Sequence, residues 1–277
     1  LGMALWELIV ELNLPTIARH HRFSWEDKHF ENSNVERLLN VAFPPDAPSI
    51  EHVTVSLEAK RSLKERKGIE STYIPYALDF SSPPALDDYN RDFKASLSIQ
   101  KGEIVIIQPT VISGEIGIEN SIPLLGRLQR NYALDIVLVI GEILNDKGKR
   151  YAEFVEDLAK REGLRVIIAS RYISSERRLE GSEKVYTLTD AYANSDLIIF
   201  PDGALVSFRH ILQGILAKKP ILVAQGKAQD EAIGHNFSLI AMEEEAGRIE
   251  EKISEILTNR EKSEGIASHN FQIAYQH

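Results

Sequence analysis

Apolar and polar positions alternate most legibly between Ser195 and Gln225. Leu197 to Phe200 form a short continuous apolar run ended by Pro201-Asp202-Gly203, the pattern of a strand buried on both faces of a parallel sheet. From Phe208 the apolar residues recur at Ile211, Leu212, Ile215 and Leu216, which is helical spacing. Lys218-Lys219 is expected to complement that helix's C-terminus, Pro220 to stop it, and Pro220 to Ala224 to form the next buried strand. The result is a βαβ unit whose first loop lies where open α/β sheets bind ligands.

The same alternation continues in both directions. Met3 to Leu12 is apolar all round except for two glutamates and predicts a largely buried helix. Thr16 to His21 reads as a strand arriving at His20-His21-Arg22, and Ser24 as the N-cap of a helix with Glu26 and Asp27 in its first turn. Phe43 to Pro48 is turn-rich; His52 to Leu57 and Thr72 to Leu78 are strands around a charged helix, Glu58 to Lys67. Ser81 to Asn90, with paired prolines and acidic residues, is the linker candidate. Beyond it, strands are predicted at 103–109, 135–140, 165–169, 197–200, 221–224 and 238–242. Helices fall at about 119–130, 150–162 and 186–194, with an amphipathic helix at 243–259. The fold class is therefore α/β with two Rossmann-like domains, the first incomplete and the second a complete parallel sheet with helices on both faces. The expected division is residues 1–80, a linker and lead-in at 81–101, and 102–277. A start at Leu1 directly into a helical pattern suggests the back part of a longer protein.

Composition narrows the function classes. A chain of 277 residues that is 43% hydrophobic and 26% charged suits a soluble globular protein. Its formal net charge of −9 argues against general binding to nucleic acid or anionic membranes, which requires a basic face. Without cysteine there is neither a disulfide nor thiolate chemistry. No apolar run reaches the length of a membrane span, and a cytoplasmic location, with peripheral membrane association left open, is expected.

Candidate chemistry is sparse. The glycines of Ile112-Ser113-Gly114-Glu115-Ile116-Gly117 would let backbone N–H groups approach a phosphate at a helix N-terminus; loop chemistry alone favours an ordinary tight turn, because Glu115 repels phosphate. His20 and His21 are adjacent on a strand and face opposite ways, so they do not chelate one metal readily, whereas one can meet a substrate hydroxyl. Arg171, Arg177 and Arg178 form the local basic cluster of the second domain, either a diphosphate partner or a solvated loop.

Taken together, PTIARHHRFSWEDKHF, FPPDAPSIEHVTVSL, STYIPYALDF, IVIIQPTVISGEIGIENSIPLL, DAYANSDLIIFPD and ILAKKPILVA resemble glycosyltransferase family 4 over nearly the whole chain. The resemblance implies the two-domain GT-B fold and transfer of a hexosyl group from a nucleotide-sugar to an acceptor hydroxyl with retention. It implies a nucleotide-sugar and an acceptor glycan, lipid or small molecule as partners, no nucleic acid, and no metal or other cofactor. It also implies a further first-domain half before Leu1. By alignment, His20 and His21 fall at the catalytic positions, and Thr110, Gly114, Gly117, Arg171, Ser207 and Gln213 line the donor.

The sequence departs from the family where charge is expected. Val111 and Ile116 stand in the places of an Arg and a Lys, beside Glu115. Unreplaced, this change weakens diphosphate binding by on the order of several kcal/mol. Leu205 and Gln213 replace two glutamates, Val206-Ser207-Phe208 replaces Gly-Phe-Gly, and Arg22 stands where an aspartate is expected. Two readings follow: a glycosyltransferase divergent in its donor site, or a catalytically silent relative acting as a binding, regulatory or structural partner. A dinucleotide-dependent oxidoreductase is disfavoured by the missing G-x-G-x-x-G.

Overall fold

The computed structural model describes residues 2–26, 35–110, 117–141, 146–201, 208–242 and 246–276. The chain divides into two compact units, Leu1–Ala77 and Leu78–His277.

The first unit runs α1 (Gly2–Glu11), β1 (Thr16–His20), α2 (Glu36–Ala42), β2 (Ile50–Thr54), α3 (Leu57–Lys67) and β3 (Thr72–Tyr73). The three strands form one parallel sheet in the order β1-β2-β3, with Ala18 opposite His52 and His20 opposite Thr54. Helix α3 is delimited by its own sequence: the Ser56 side chain accepts the Ala59 N–H at 3.0 Å, and Gly68 closes it in the left-handed conformation. Under it lies a small core of Phe23, Ala59, Leu63 and Ile69, with Trp25 packed against them. The helix expected to open at Ser24 is a single 3-10 turn over Ser24–Glu26, and the strand expected at Thr72 to Leu78 pairs only over Thr72–Tyr73.

Helix α1 forms where expected but is not buried. Leu5 is 55% exposed, and Met3, Leu8, Val10 and Leu12 are exposed too. The reason is topological. Strand β1 is the edge of its sheet, with Ile17 74% exposed, so the described residues offer no second layer for an all-apolar helix to pack under.

The second unit begins with α4 (Phe93–Ser96) and β4 (Ile104–Gln108), followed by α5 (Ile118–Tyr132), β5 (Ile136–Ile140), α6 (Asp146–Glu162) and β6 (Arg165–Ile168). A short excursion, β7 (Ile173–Ser174), β8 (Arg178–Glu180) and β9 (Glu183–Thr187), leads into α7 (Leu188–Ala193). Then come β10 (Leu197–Phe200), α8 (Phe208–Leu216), β11 (Ile221–Val223), α9 (Lys227–Gly234), β12 (Ile240–Ala241), α10 (Ala246–Thr258) and α11 (Arg260–Gln276). The six long-sheet strands are all parallel in the order β12-β11-β10-β4-β5-β6. Strands β5, β10 and β11 are buried at every residue, which is why their sequences are unbroken apolar runs.

The three-stranded sheet β7-β9-β8 was not expected; Tyr186, placed in a helix by its periodicity, lies in β9. Its buried ring donates from Oη to Asp92 at 2.9 Å, contacts Ser96 Oγ at 2.7 Å, and has its hydroxyl pKa pushed up to about 12, chiefly by burial. Lys218 and Lys219 also act elsewhere than expected. Lys219 Nζ donates to the carbonyls of Ser195 (2.6 Å) and Ala193 (3.3 Å), capping the end of α7 rather than α8, while Lys218 Nζ lies 4.3 Å from the centre of the Phe271 ring.

The segment expected to be a linker is anchored by charge. Asp190 is 1% exposed, and in the capping box of α7 its carboxylate accepts from Thr187 N (2.8 Å) and Thr187 Oγ1 (2.9 Å). Asn90 Nδ2 adds a bond at 2.9 Å, and Arg177 Nε contacts both carboxylate oxygens at 3.1 Å while its Nη2 also pairs with Asp87 at 2.8 Å. Burial alone would raise the Asp190 carboxyl; Arg177 and these donors outweigh it and hold the pKa down to about 2. Held below its ordinary 3.8, the group contributes about 2 kcal/mol above pH 4, a contribution lost as pH falls towards 2. Asp190→Asn is therefore expected to lower the denaturant midpoint at pH 7 and to flatten the fall in stability between pH 4 and 2. Parallel acid titrations of the two proteins check this.

Candidate functional site

In the second unit the strand order reverses beside β4. The chain moves outward through β5 and β6, then returns to lay β10 on the other side of β4. The carboxyl ends of β4 and β10 lie side by side there, the position at which an open α/β sheet binds its ligand in a crevice.

Each wall of that crevice is set by a few residues. At the end of β4, Gln108 is fully buried; its Oε1 accepts from Ser121 Oγ at 2.8 Å and its Nε2 donates to Thr110 Oγ1 at 3.1 Å. The strand end is thus tied to the first turns of α5. Gly117, directly before α5, takes φ 58° and ψ 28°, a left-handed conformation that favours glycine. At the end of β5, a Cβ on Gly141 would stand 2.5 Å from the Thr110 carbonyl oxygen, so the backbones meet here without room for a side chain. On the other wall the half-buried His210, in the first turn of α8, has its ring centroid 6.3 Å from that of Phe200, the last residue of β10. Burial, then the neighbouring Arg209, keeps the His210 imidazole below its ordinary pKa.

Of the donor-side residues expected from sequence, Thr110 follows β4 and Gly117 directly precedes α5. Gly114 and Ser207 lie outside the described residues, as do Val111, Glu115, Ile116 and Leu205. Gln213 is half-buried on α8. The basic cluster is divided. Arg177 is held by Asp190 and Asp87, and Arg178 donates to Glu180 Oε1 at 2.9 Å. Arg171, just past β6, is exposed and has no ion-pair partner among the described residues.

In the first unit His20 and His21 point apart, as strand geometry requires. His21 is exposed and its Nδ1 lies 2.8 Å from the Tyr76 hydroxyl. His20 is half-buried, and its Nε2 lies 2.9 Å from Nδ1 of His52, whose ring is parallel to it within 10°. Parallel pairing of β1 with β2 puts His20 and His52 on one face, two residues apart in register. Burial first, then His52 and His21, push the His20 pKa down to about 4. His52, 3% exposed, is also lowered by burial, against the pull of Asp46, Glu51 and the Pro45 carbonyl.

Sequence reasoning missed Gln108, Gly141, His52 and His210. A glycine directly after an apolar strand signals close backbone approach, so Gly141 could have been found. His52 could not, because its relation to His20 depends on strand register. Among the described residues no group of three or more His, Asp or Glu is placed to hold a metal ion, and no helix is long and apolar enough to cross a membrane.

These units have the α/β fold of GT-B glycosyltransferases. The chain matches a glycosyltransferase from Rickettsia africae with a TM-score of 0.66 at 14% identity, over 99% of this chain and 75% of that one. It matches Anabaena HepE, solved with UDP and glucose, with a TM-score of 0.72 at 15% identity, over 98% of this chain and 69% of that one. In sequence it is similar to the mannosylglucosylglycerate synthase of Thermotoga maritima, 26% identical over an alignment of 308 positions that takes in 100% of this chain and 69% of the relative. The synthase of the same name from Petrotoga mobilis is 25% identical over 80% of this chain and 55% of its own length. No family model matches the sequence.

Gly141→Ala tests the close approach at Thr110. A methyl group there is expected to displace the end of β4 and cost about 1–3 kcal/mol. Gly247→Ala in α10, where an added Cβ meets nothing within 4 Å, is expected to leave stability unchanged or raise it by up to about 1 kcal/mol. Urea midpoints of the two variants check the contrast.

Proposed function

We propose that this chain belongs to an enzyme that transfers a hexosyl group from a nucleoside-diphosphate sugar to an acceptor hydroxyl with retention, without a metal. The observation that carries this reading is the alignment of the whole chain with a mannosylglucosylglycerate synthase. Neighbours in fold solved with UDP and with UDP-glucose support the donor class. The second unit would hold the donor at the β4/β10 crevice, with the diphosphate toward Gly117 and the N-terminus of α5, whose dipole amounts to about half a positive charge. Charge develops on the diphosphate as the sugar leaves, so donors fixed in advance lower the barrier. Arg171 at the carboxyl edge of the sheet supplies positive charge where Val111 and Ile116 cannot. In the first unit, His20 would take a sugar or acceptor hydroxyl.

A second reading, a silent relative that serves as a binding partner, is favoured by one feature. Arg177 and Arg178 are committed to carboxylates, which leaves little cationic charge for a diphosphate.

Thermal-shift titration with UDP, GDP, UDP-glucose and GDP-mannose separates the two. A ligand that binds only the folded form stabilises it by about 2.7 kcal/mol at one hundred times its Kd. A rise with one nucleotide series identifies the donor; no rise with any of them, on folded protein, supports the silent relative. Arg171→Gln is expected to weaken the responding nucleotide several-fold while leaving the unliganded melting temperature unchanged. Val111→Arg with Ile116→Lys and Leu205→Glu is expected to strengthen it, and an unchanged affinity would remove these positions from the donor site.

A further inference from the structure

Strand β4 ends its apolar run on a carboxamide. Val105, Ile106 and Ile107 are buried hydrocarbon, and Gln108 is as fully enclosed as they are. Burying a carboxamide costs free energy unless both of its ends are bonded. Here both are: one end lies 2.8 Å from Ser121 Oγ and the other 3.1 Å from Thr110 Oγ1. Both hydroxyls can donate or accept, so the link holds in either orientation of the amide. The Gln108 carbonyl adds a third tie by accepting from Gly141 N at 3.2 Å. Three elements therefore meet at one residue: β4 itself, the end of β5 through Gly141, and α5 through Ser121, one turn in from Gly117. Packing alone does not call for such a group. A buried amide bonded at both ends adds little net stability over hydrocarbon of the same volume, because the unfolded chain bonds the same atoms to water; what it adds is direction.

We propose that Gln108 is a positioning residue whose carboxamide holds the Thr110 hydroxyl and the first turns of α5 in one frame, so that a ligand at the carboxyl end of β4 meets both in a set relation. That the ligand is a nucleoside diphosphate rests on the function proposed above; the frame does not. Methionine at position 108 would keep the volume and lose both side-chain ties, leaving α5 held to the strand by apolar packing, which has no direction of its own. Loss of the frame would be felt by the part of a ligand that spans Thr110 and α5, and not by a part bound elsewhere.

The test compares the full chain with its Gln108→Met variant in two measurements. Without ligand, amide hydrogen exchange in the first two turns of α5 is expected to quicken several-fold in Gln108→Met, while exchange in α8 stays as in the wild type. With ligand, affinity for UDP or GDP is expected to fall several-fold while affinity for the matching nucleoside, which lacks the diphosphate, is unchanged. A merely structural role would lower both affinities alike or neither. Unchanged exchange in α5 of a folded Gln108→Met overturns the proposal, as does an equal loss for nucleoside and nucleoside diphosphate. Ser121→Ala cuts the same link from the helix side and is expected to reproduce both effects; it decides alone if Gln108→Met does not fold. If the wild type responds to no nucleotide, the function proposed above fails, and the exchange measurement still decides for or against the frame.

Discussion

The parallel pairing of β4 on both of its edges is the constraint from which the second unit follows. Ile104 to Gln108 pair with Ile136 to Ile140 on one side, and Ile106 and Ile107 with Leu197 and Ile198 on the other. A strand held twice and buried on both faces has no freedom of register. Its carboxyl end is therefore fixed to the sheet, and Gln108, locked to Ser121 and Thr110, transmits that position to α5. The chain leaves this strand in one direction and returns on the other side, so the strand order reverses beside it. A ligand site is a consequence of this topology before any particular side chain is specified.

Charge in this protein is used largely to hold segments in place. Arg177 links Asp87 to Asp190, Arg165 pairs with Glu103 at 2.8 Å, and Lys219 reaches the carbonyls beyond α7. Each joins a residue outside the long sheet, or at its base, to an element of the βα framework. The Tyr89 ring, with Arg177 at 4.9 Å and Lys184 at 5.1 Å from its centre, belongs to the same fastening. A partly buried arginine between two carboxylates is poorly placed to meet a diphosphate. Helix N-termini and backbone geometry, which do not depend on net charge, then add to the exposed Arg171 as means by which an acidic chain could bind an anion.

The sequence made the long sheet legible because strands buried on both faces leave a signature that survives without neighbours: LIIF, ILV and IVLVI have no other stable home. Elements whose existence depends on partners were missed. The excursion β7-β9-β8 consists of two- to five-residue strands, much of it exposed, and its registration comes from Tyr89 and Tyr186 rather than from alternation. Lys218-Lys219 beside Pro220 looked like the end of α8, which it is by position, but the charges act on α7 and Phe271 because the side chains reach past their own helix. Of the site, Thr110 and Gly117 could be read from strand-to-helix punctuation, and Gly141 from its place directly after an apolar strand, whereas His52 needed register.

The first unit carries the opposite lesson. Its sequence describes α1 accurately as a helix, and an all-apolar helix is normally a buried one. Yet burial is a property of the layer that covers an element, and hydrophobicity states only the demand for one. Here β1 is an edge strand, its alternate residues Ile17 and Arg19 are exposed, and among the described residues no strand pairs with its outer side. The same edge position sets the surroundings of His20. A strand paired on one side only, and half-buried on the face it shares with β2, can hold His20 against its buried neighbour His52. A fully enclosed strand of the second unit could seat an imidazole, but it could not present one.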